Sequence, residues 1–165
     1  MSMSREIKLY LAGPFGFSEA GRDFYYSKLI PLIESTGCQV LDPWKLAPQD
    51  KIEAVQAMAY GIEKQKTWRK VNLEIGENNQ NLIDGSDGII AILDGPDVDS
   101  GTAAEIGYAF GQGKCILGYR GDFRLSAENE GGIVNLQVEY FIRKSGGTLI
   151  TTINDLQKEI RACFK

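Results

Sequence analysis

The chain has 165 residues, 43% of them apolar and 24% charged, with 22 acids against 18 bases and a net charge of −4. That is the composition of one globular domain, too short for two ordinary domains and too apolar for a disordered or fibrous chain. The mild acidity is a poor electrostatic match for nucleic acid or anionic lipid, and the absence of histidine removes Ser-His and Cys-His nucleophile pairs, a His general base and His-ligated metals.

In chain order, Ile7 to Ala12 (IKLYLA) is a short apolar run that reads as a strand stopping at Gly13-Pro14. Ser18 to Ile33 has helical spacing, with Phe24, Tyr25, Leu29, Leu32 and Ile33 toward one side. Pro31 is expected to kink this helix or split off its last turn, and Gly37 to end it. Cys38 to Leu41 predicts a second strand, closed by Asp42-Pro43, and Pro48 to Asp84 reads as mostly helical and polar. Gly88 to Leu93 (GIIAIL) is a continuous apolar run of the kind that suits a strand buried on both faces. An acid-rich loop follows, then a helix from Thr102 to about Gln112 and a fourth strand from Cys115 to Tyr119. Residues 120–145 are polar and irregular, with a helix placed over Ile133 to Arg143. Thr148 to Ile150 predicts a fifth strand, and the stripe Ile153, Leu156, Ile160, Cys163 a terminal amphipathic helix.

Strand and helix alternate throughout. The expectation is therefore a single doubly wound α/β domain over residues 1–165, with a mainly parallel five-stranded sheet. Ligands in such folds bind outside the carboxyl ends of the strands, which singles out the loops Gly13–Ser18, Asp42–Gln49 and Asp94–Thr102. The cysteines, Cys38, Cys115 and Cys163, are odd in number and lack CxxC spacing, so neither a disulfide framework nor a zinc site is expected. Met-Ser-Met-Ser-Arg-Glu at the start carries no apolar signal core, and no apolar run approaches membrane-spanning length. A cytoplasmic protein without membrane or nucleic-acid partners is expected.

The densest chemical signal is Asp94-Gly-Pro-Asp97-Val-Asp99-Ser100-Gly-Thr102-Ala-Ala-Glu105. Two readings compete for Glu105. Thr102-Ala-Ala-Glu105 fits a capping box, with the acid reaching back to an orphan backbone N–H. The same geometry also puts a carboxylate in the first turn of a helix, where the dipole favours its ionised form and readies it as a nucleophile. A second acid on the loop could then hold a sugar hydroxyl, which suits substitution at an anomeric carbon through a covalent glycosyl ester. Asp97 and Asp99 can also be plain turn residues. Tyr10-Leu-Ala-Gly13-Pro-Phe15-Gly16-Phe17 is glycine-rich but not GxGxxG. Its phenylalanines suit a flat apolar ligand better than a pyrophosphate, or else cap the core. Trp44, in Asp42-Pro43-Trp44, can stack on a base or simply pack. The basic run Lys64, Lys66, Arg69, Lys70 around Trp68 reads as a solvated helix face.

Tyr10-Leu-Ala-Gly-Pro-Phe, the GIIAIL strand and Asp99-Ser-Gly-Thr-Ala-Ala-Glu105-Ile-Gly-Tyr-Ala together resemble the nucleoside 2-deoxyribosyltransferase family, over about residues 7–150. The resemblance implies a flavodoxin-like fold, helices on both faces of the sheet, and homo-oligomeric assembly. It also implies cleavage of the N-glycosidic bond of 2′-deoxynucleosides and transfer of deoxyribose to another free nucleobase, with no metal or organic cofactor. Glu105 falls on the family nucleophile, Tyr10 on the tyrosine that positions it, and Asp99 on an acid that holds sugar hydroxyls. Asn135-Leu136-Gln137 matches a motif with which a neighbouring subunit completes the site. Gly13, Phe15, Asp42, Trp44, Asp97 and Ser100 complete the expected substrate-binding set, together with Asn79. That last position departs from the family pattern. Members commonly carry an Asp there that helps protonate the leaving base, and a neutral amide cannot do so. Two rival readings stand beside this one: hydrolysis of deoxynucleoside 5′-monophosphates, and a non-catalytic nucleotide-sensing domain on the same fold.

Overall fold

The computed structural model describes residues 5–164. Five parallel strands, β1 (Ile7–Ala12), β2 (Cys38–Leu41), β3 (Gly88–Ile92), β4 (Cys115–Tyr119) and β5 (Leu149–Ile150), form one sheet in the order β2-β1-β3-β4-β5. This is the flavodoxin-like doubly wound order, whose direction of winding reverses between β1 and β3. The helices are α1 (Glu19–Phe24), α2 (Ile30–Glu34), α3 (Gln49–Ala57), α4 (Ile62–Asp84), α5 (Ser100–Gly111), α6 (Leu136–Lys144) and α7 (Ile153–Cys163).

Side-chain alternation along the strands divides the core in two. Leu9, Leu11, Ile90, Ile92 and Leu117 face α1, α2 and α7, meeting Tyr25, Leu29, Ile33, Leu156 and Ile160. Tyr10, Ala12, Ile89, Ala91 and Ile116 face the other way, against Ile83, Ile106, Ala109, Val138 and Ile142 from α4, α5 and α6. All five residues of β3 are buried, as expected of a central strand covered on both faces.

Local departures from the sequence reading have identifiable causes. Pro31 sets off the last turn of the helix, as expected, and the means is a π-helical turn at Tyr25–Leu29, after which α-helical hydrogen bonding resumes at Ile30. The same widened turn buries Tyr25 and brings its hydroxyl 3.0 Å from Asp42 Oδ1. The helix after the acid loop starts at Ser100 rather than Thr102, because Asp99 caps it. Cys115 and Cys163, far apart in sequence, meet as free thiols with their sulfurs 3.2 Å apart, joining β4 to α7. Burial and the neighbouring thiol push Cys115 up to about 12, so it stays protonated. Among the described residues, no helix is long and apolar enough to cross a membrane.

Candidate active site

Tyr10 and Glu105 meet at the switch point between β1 and β3. Tyr10 lies on β1 with its side chain fully buried under α5, and its hydroxyl donates to Glu105 Oε1 at 2.6 Å. The capping-box reading of Glu105 does not survive this placement. The N-cap is Asp99, whose Oδ2 accepts from Thr102 N at 3.0 Å and from Thr102 Oγ1 at 3.1 Å. The first turn holds no acid, and Glu105 lies in the second, with its carboxylate turned to Tyr10 instead of the helix end.

The expected electrostatics of Glu105 change as well. Burial pushes its carboxyl up from the ordinary 4.5 to about 7, the Tyr10 hydrogen bond pulls it down, and the Asp99 charge pushes it further up. Desolvation therefore outweighs any favour from the helix dipole. Glu105 is poised near neutrality, where it is a stronger base than an exposed carboxylate and still ionises readily.

Glu105 lines a cavity of about 460 Å³, within the range that holds a small organic ligand. Asp99 and Thr102 share its α5 side with Glu105, Gly13 comes from the loop after β1, and Ile75 and Asn79 come from α4. Trp44 and Phe17 supply an aromatic wall, their rings packed edge to face with centroids 4.7 Å apart. Close approach requires glycine at two positions, Gly16 beneath this wall and Gly13 against β3. A Cβ at Gly16 would fall 2.2 Å from the Trp44 ring, and one at Gly13 would fall 2.6 Å from Ile92 Cβ. Two residues of the cavity wall, Trp44 and Asn79, each hold a polar atom, Nε1 and Oδ1, that is buried without a hydrogen-bond partner. Such atoms cost free energy in a closed protein.

The structure thus brings Tyr10, Gly13, Trp44, Asn79, Asp99 and Glu105 to one place. It puts the other expected residues elsewhere. Phe15 lines no part of this cavity; a 3₁₀ turn over Pro14–Phe17 directs its ring onto Phe24, 5.7 Å away on the opposite face of the sheet, and Phe17 takes the cavity position. Asp42 is buried beneath the site, with Oδ1 accepting from Tyr25 Oη and from Trp44 N at 2.9 Å, so it fixes the Trp44 turn. Asp97 is exposed and accepts from Val98 N, and Ser100 is exposed in the first turn of α5. Asn135 caps α6, accepting from Gln137 N and Val138 N and donating to Glu128, and neither Asn135 nor Gln137 lines the cavity.

One residue with no sequence signal shapes the loop. Arg120, just past β4, is fully buried, and its guanidinium donates to the carbonyls of Leu93, Gly95 and Arg124. Asp94 completes this strap by accepting from Gly121 N and Asp122 N. The loop carrying Asp99 is thereby tied to the neighbouring strand end.

A parallel sheet of order 2-1-3-4-5 with a carboxylate and a tyrosine paired at its switch point is a doubly wound α/β domain with a candidate nucleophile. The sequence profile of the nucleoside 2-deoxyribosyltransferase family matches residues 9–137, and the chain belongs to that family. An uncharacterised protein of Schizosaccharomyces pombe is 29% identical, the match covering 95% of this chain and 86% of that one. A conserved protein from Enterococcus faecalis has the same fold, with a TM-score of 0.70, 24% identity and coverage of 96% and 99% of the two chains. A 2-deoxyribosyltransferase from Leishmania mexicana superimposes with a TM-score of 0.67 at 22% identity, covering 96% of this chain and 99% of that one.

Proposed function

We propose that this protein cleaves the N-glycosidic bond of 2′-deoxynucleosides and transfers the deoxyribose to another nucleobase, with water as the competing acceptor. The observation that carries this reading is the Tyr10–Glu105 pair, closed at 2.6 Å and opening into a nucleoside-sized cavity in a chain of this family.

In the proposed reaction the ionised Glu105 carboxylate attacks C1′, the C1′–N bond breaks with its electron pair going to the base, and a deoxyribosyl ester forms. A second base nitrogen or water then attacks C1′, the ester oxygen leaves, and configuration is retained overall. Lack of a 2′-hydroxyl makes positive charge at C1′ less costly. Tyr10 orients the carboxylate and supports its negative charge before attack. Asp99 keeps one oxygen on Thr102, while the other has no hydrogen-bond partner among the described residues and suits a sugar hydroxyl. The base then lies against Trp44 and Phe17, with Asn79 at its polar edge. Asn135 and Gln137 sit at the start of α6, on the same carboxyl edge of the sheet, and in this reading complete the site of a neighbouring subunit in a homo-oligomer.

A 5′-monophosphate substrate fits less well. Two carboxylates line the cavity and, among the described residues, no Lys or Arg does, so a phosphate dianion would meet repulsion without a counter-charge. Chromatography of products from a 2′-deoxynucleoside, with and without a second free base, tests the proposal. A new deoxynucleoside that forms only with the added base supports transfer. Free base and deoxyribose alone would reassign the protein as a hydrolase, and unchanged substrate would remove the enzymatic reading.

A further inference from the structure

We infer that the base side of this cavity is built for leaving groups that depart without needing a proton, and that N-linked cationic heterocycles, pyridinium 2′-deoxynucleosides in particular, are its preferred donors. The inference rests on the deoxyribosyl-transfer reading of the same site and narrows its substrate class.

The argument is an inventory of what the cavity can give a departing base. Among the described residues, the ionisable side chains that this chain gives it are Glu105 and Asp99, and the Asn135 and Gln137 amides that a neighbouring subunit would add carry no acid. Glu105 must be a carboxylate to attack and becomes an ester when it does, so it holds no proton for the base at that moment. Asp99 is fixed at the head of α5 as the acceptor of two bonds from Thr102, on the sugar side. On the base side stand Asn79, Trp44, Phe17, Ile52 and Ile75. An amide and an indole N–H donate hydrogen bonds but do not release protons near neutral pH. Tyr10 is spent on Glu105, and burial beside that carboxylate holds its phenol well above the ordinary range, so it is no acid either. A neutral pyrimidine or purine leaving from this site departs as an anion or waits for a solvent proton.

The same inventory favours a cation. Two carboxylates face the cavity, and no Lys or Arg among the described residues offsets them. The rings of Trp44 and Phe17 present π-systems to its contents, and an aromatic wall attracts a positively charged heterocycle. The Asn79 amide lines the same cavity and carries both an acceptor and a donor, which match a ring bearing a carboxamide. The step balances without acid. Glu105 forms the O–C1′ bond, the C1′–N pair moves onto the ring nitrogen, and that pair cancels the ring's positive charge, so a neutral heterocycle leaves.

The test compares the 2′-deoxyribosyl pyridinium of nicotinamide with thymidine and 2′-deoxycytidine, on the full-length protein and on N79D, which puts a carboxylic acid at the base. Because a positioned general acid contributes about 10²–10⁴-fold, the wild type should favour the pyridinium in kcat/KM by about 100-fold or more, and N79D should shrink that preference at least tenfold by raising turnover of the neutral nucleosides. Measuring the ratio between substrates cancels any general loss from the substitution. Similar kcat/KM for charged and neutral donors, with a ratio that N79D leaves unmoved, would overturn the leaving-group inference while deoxyribosyl transfer stands. Failure of both proteins to cleave any of the three would overturn both readings.

Discussion

The two edges of the sheet treat polar groups in opposite ways. At the amino edge, Asp87 takes Arg5 on one oxygen and Lys8 N on the other, each at 2.8 Å. Tyr108 donates to Asp84 and accepts from Gln80 and Gln112, and Lys114 closes on the carbonyls of Asp84 and Ser86. At the carboxyl edge, Asp42 Oδ2 and Ser126 Oγ are buried without partners in the loops after β2 and β4, and Trp44 Nε1 and Asn79 Oδ1 are unpartnered at the cavity wall. Since an unmade buried hydrogen bond costs more than a made one returns, a fold does not scatter such atoms at random. The satisfied edge stabilises the domain. The unsatisfied edge carries the cavity, and the Arg120 strap ties its loops to one another.

Substitutions at the two edges should therefore part company. The largest effect is expected from Glu105→Gln, which removes the proposed nucleophile but keeps an acceptor for Tyr10: turnover should fall by on the order of 10⁴-fold or more, with the circular-dichroism spectrum unchanged. The same variant has a stability signature. Glu105 is raised to about 7, so the folded chain holds this proton to higher pH than the unfolded chain, and stability is lost as pH climbs from about 4.5 to about 7. Glu105→Gln removes that loss and should gain ~1–3 kcal/mol on wild type between about pH 5 and pH 8, read by urea unfolding.

Tyr10→Phe comes next. Losing a hydrogen bond to a charged group, worth ~1.5–3 kcal/mol, should lower kcat about 10- to 100-fold. Because the Tyr10 bond lowers the Glu105 pKa, its loss should also move the rising limb of the kcat/KM–pH profile upward from about 7. A limb that stays in place would show that Glu105 is not the titrating group. Asp99→Ala should raise KM and, by removing the α5 cap, cost about 1 kcal/mol of stability. Asp87→Asn, at the amino edge, should cost at most about 1 kcal/mol, since its Arg5 partner is largely exposed, and should leave kcat/KM as in wild type. Equal activity losses at Asp87 and Asp99 would dissolve the distinction between the edges.

The fold was legible because β1, β2, β3 and β4 are apolar runs with helical stripes between them, and a parallel sheet writes itself as such runs. The winding order was not written there, since it depends on which helix covers which face. Tyr10 and Glu105 were legible through the family pattern, whereas spacing alone offered Glu105 a capping role. The competing cap, Asp99, stands three residues before Thr102, and an Asp there takes the helix start from the threonine. Phe15 and Phe17 stand two residues apart in one loop, and a 3₁₀ turn that leaves no sequence signature decides which ring reaches the cavity and which the core. Arg120 was invisible for a plainer reason. Its partners are backbone carbonyls on a loop far earlier in the chain, and carbonyls have no sequence signature.

The most direct test of the account is intact-protein mass spectrometry of the wild type, quenched during turnover of a 2′-deoxynucleoside in the absence of acceptor base. The account predicts one added deoxyribosyl group, mapped by peptide digestion to Glu105, discharged by added base and absent from Glu105→Gln. Turnover with no adduct on the wild type, and undiminished in Glu105→Gln, would contradict it.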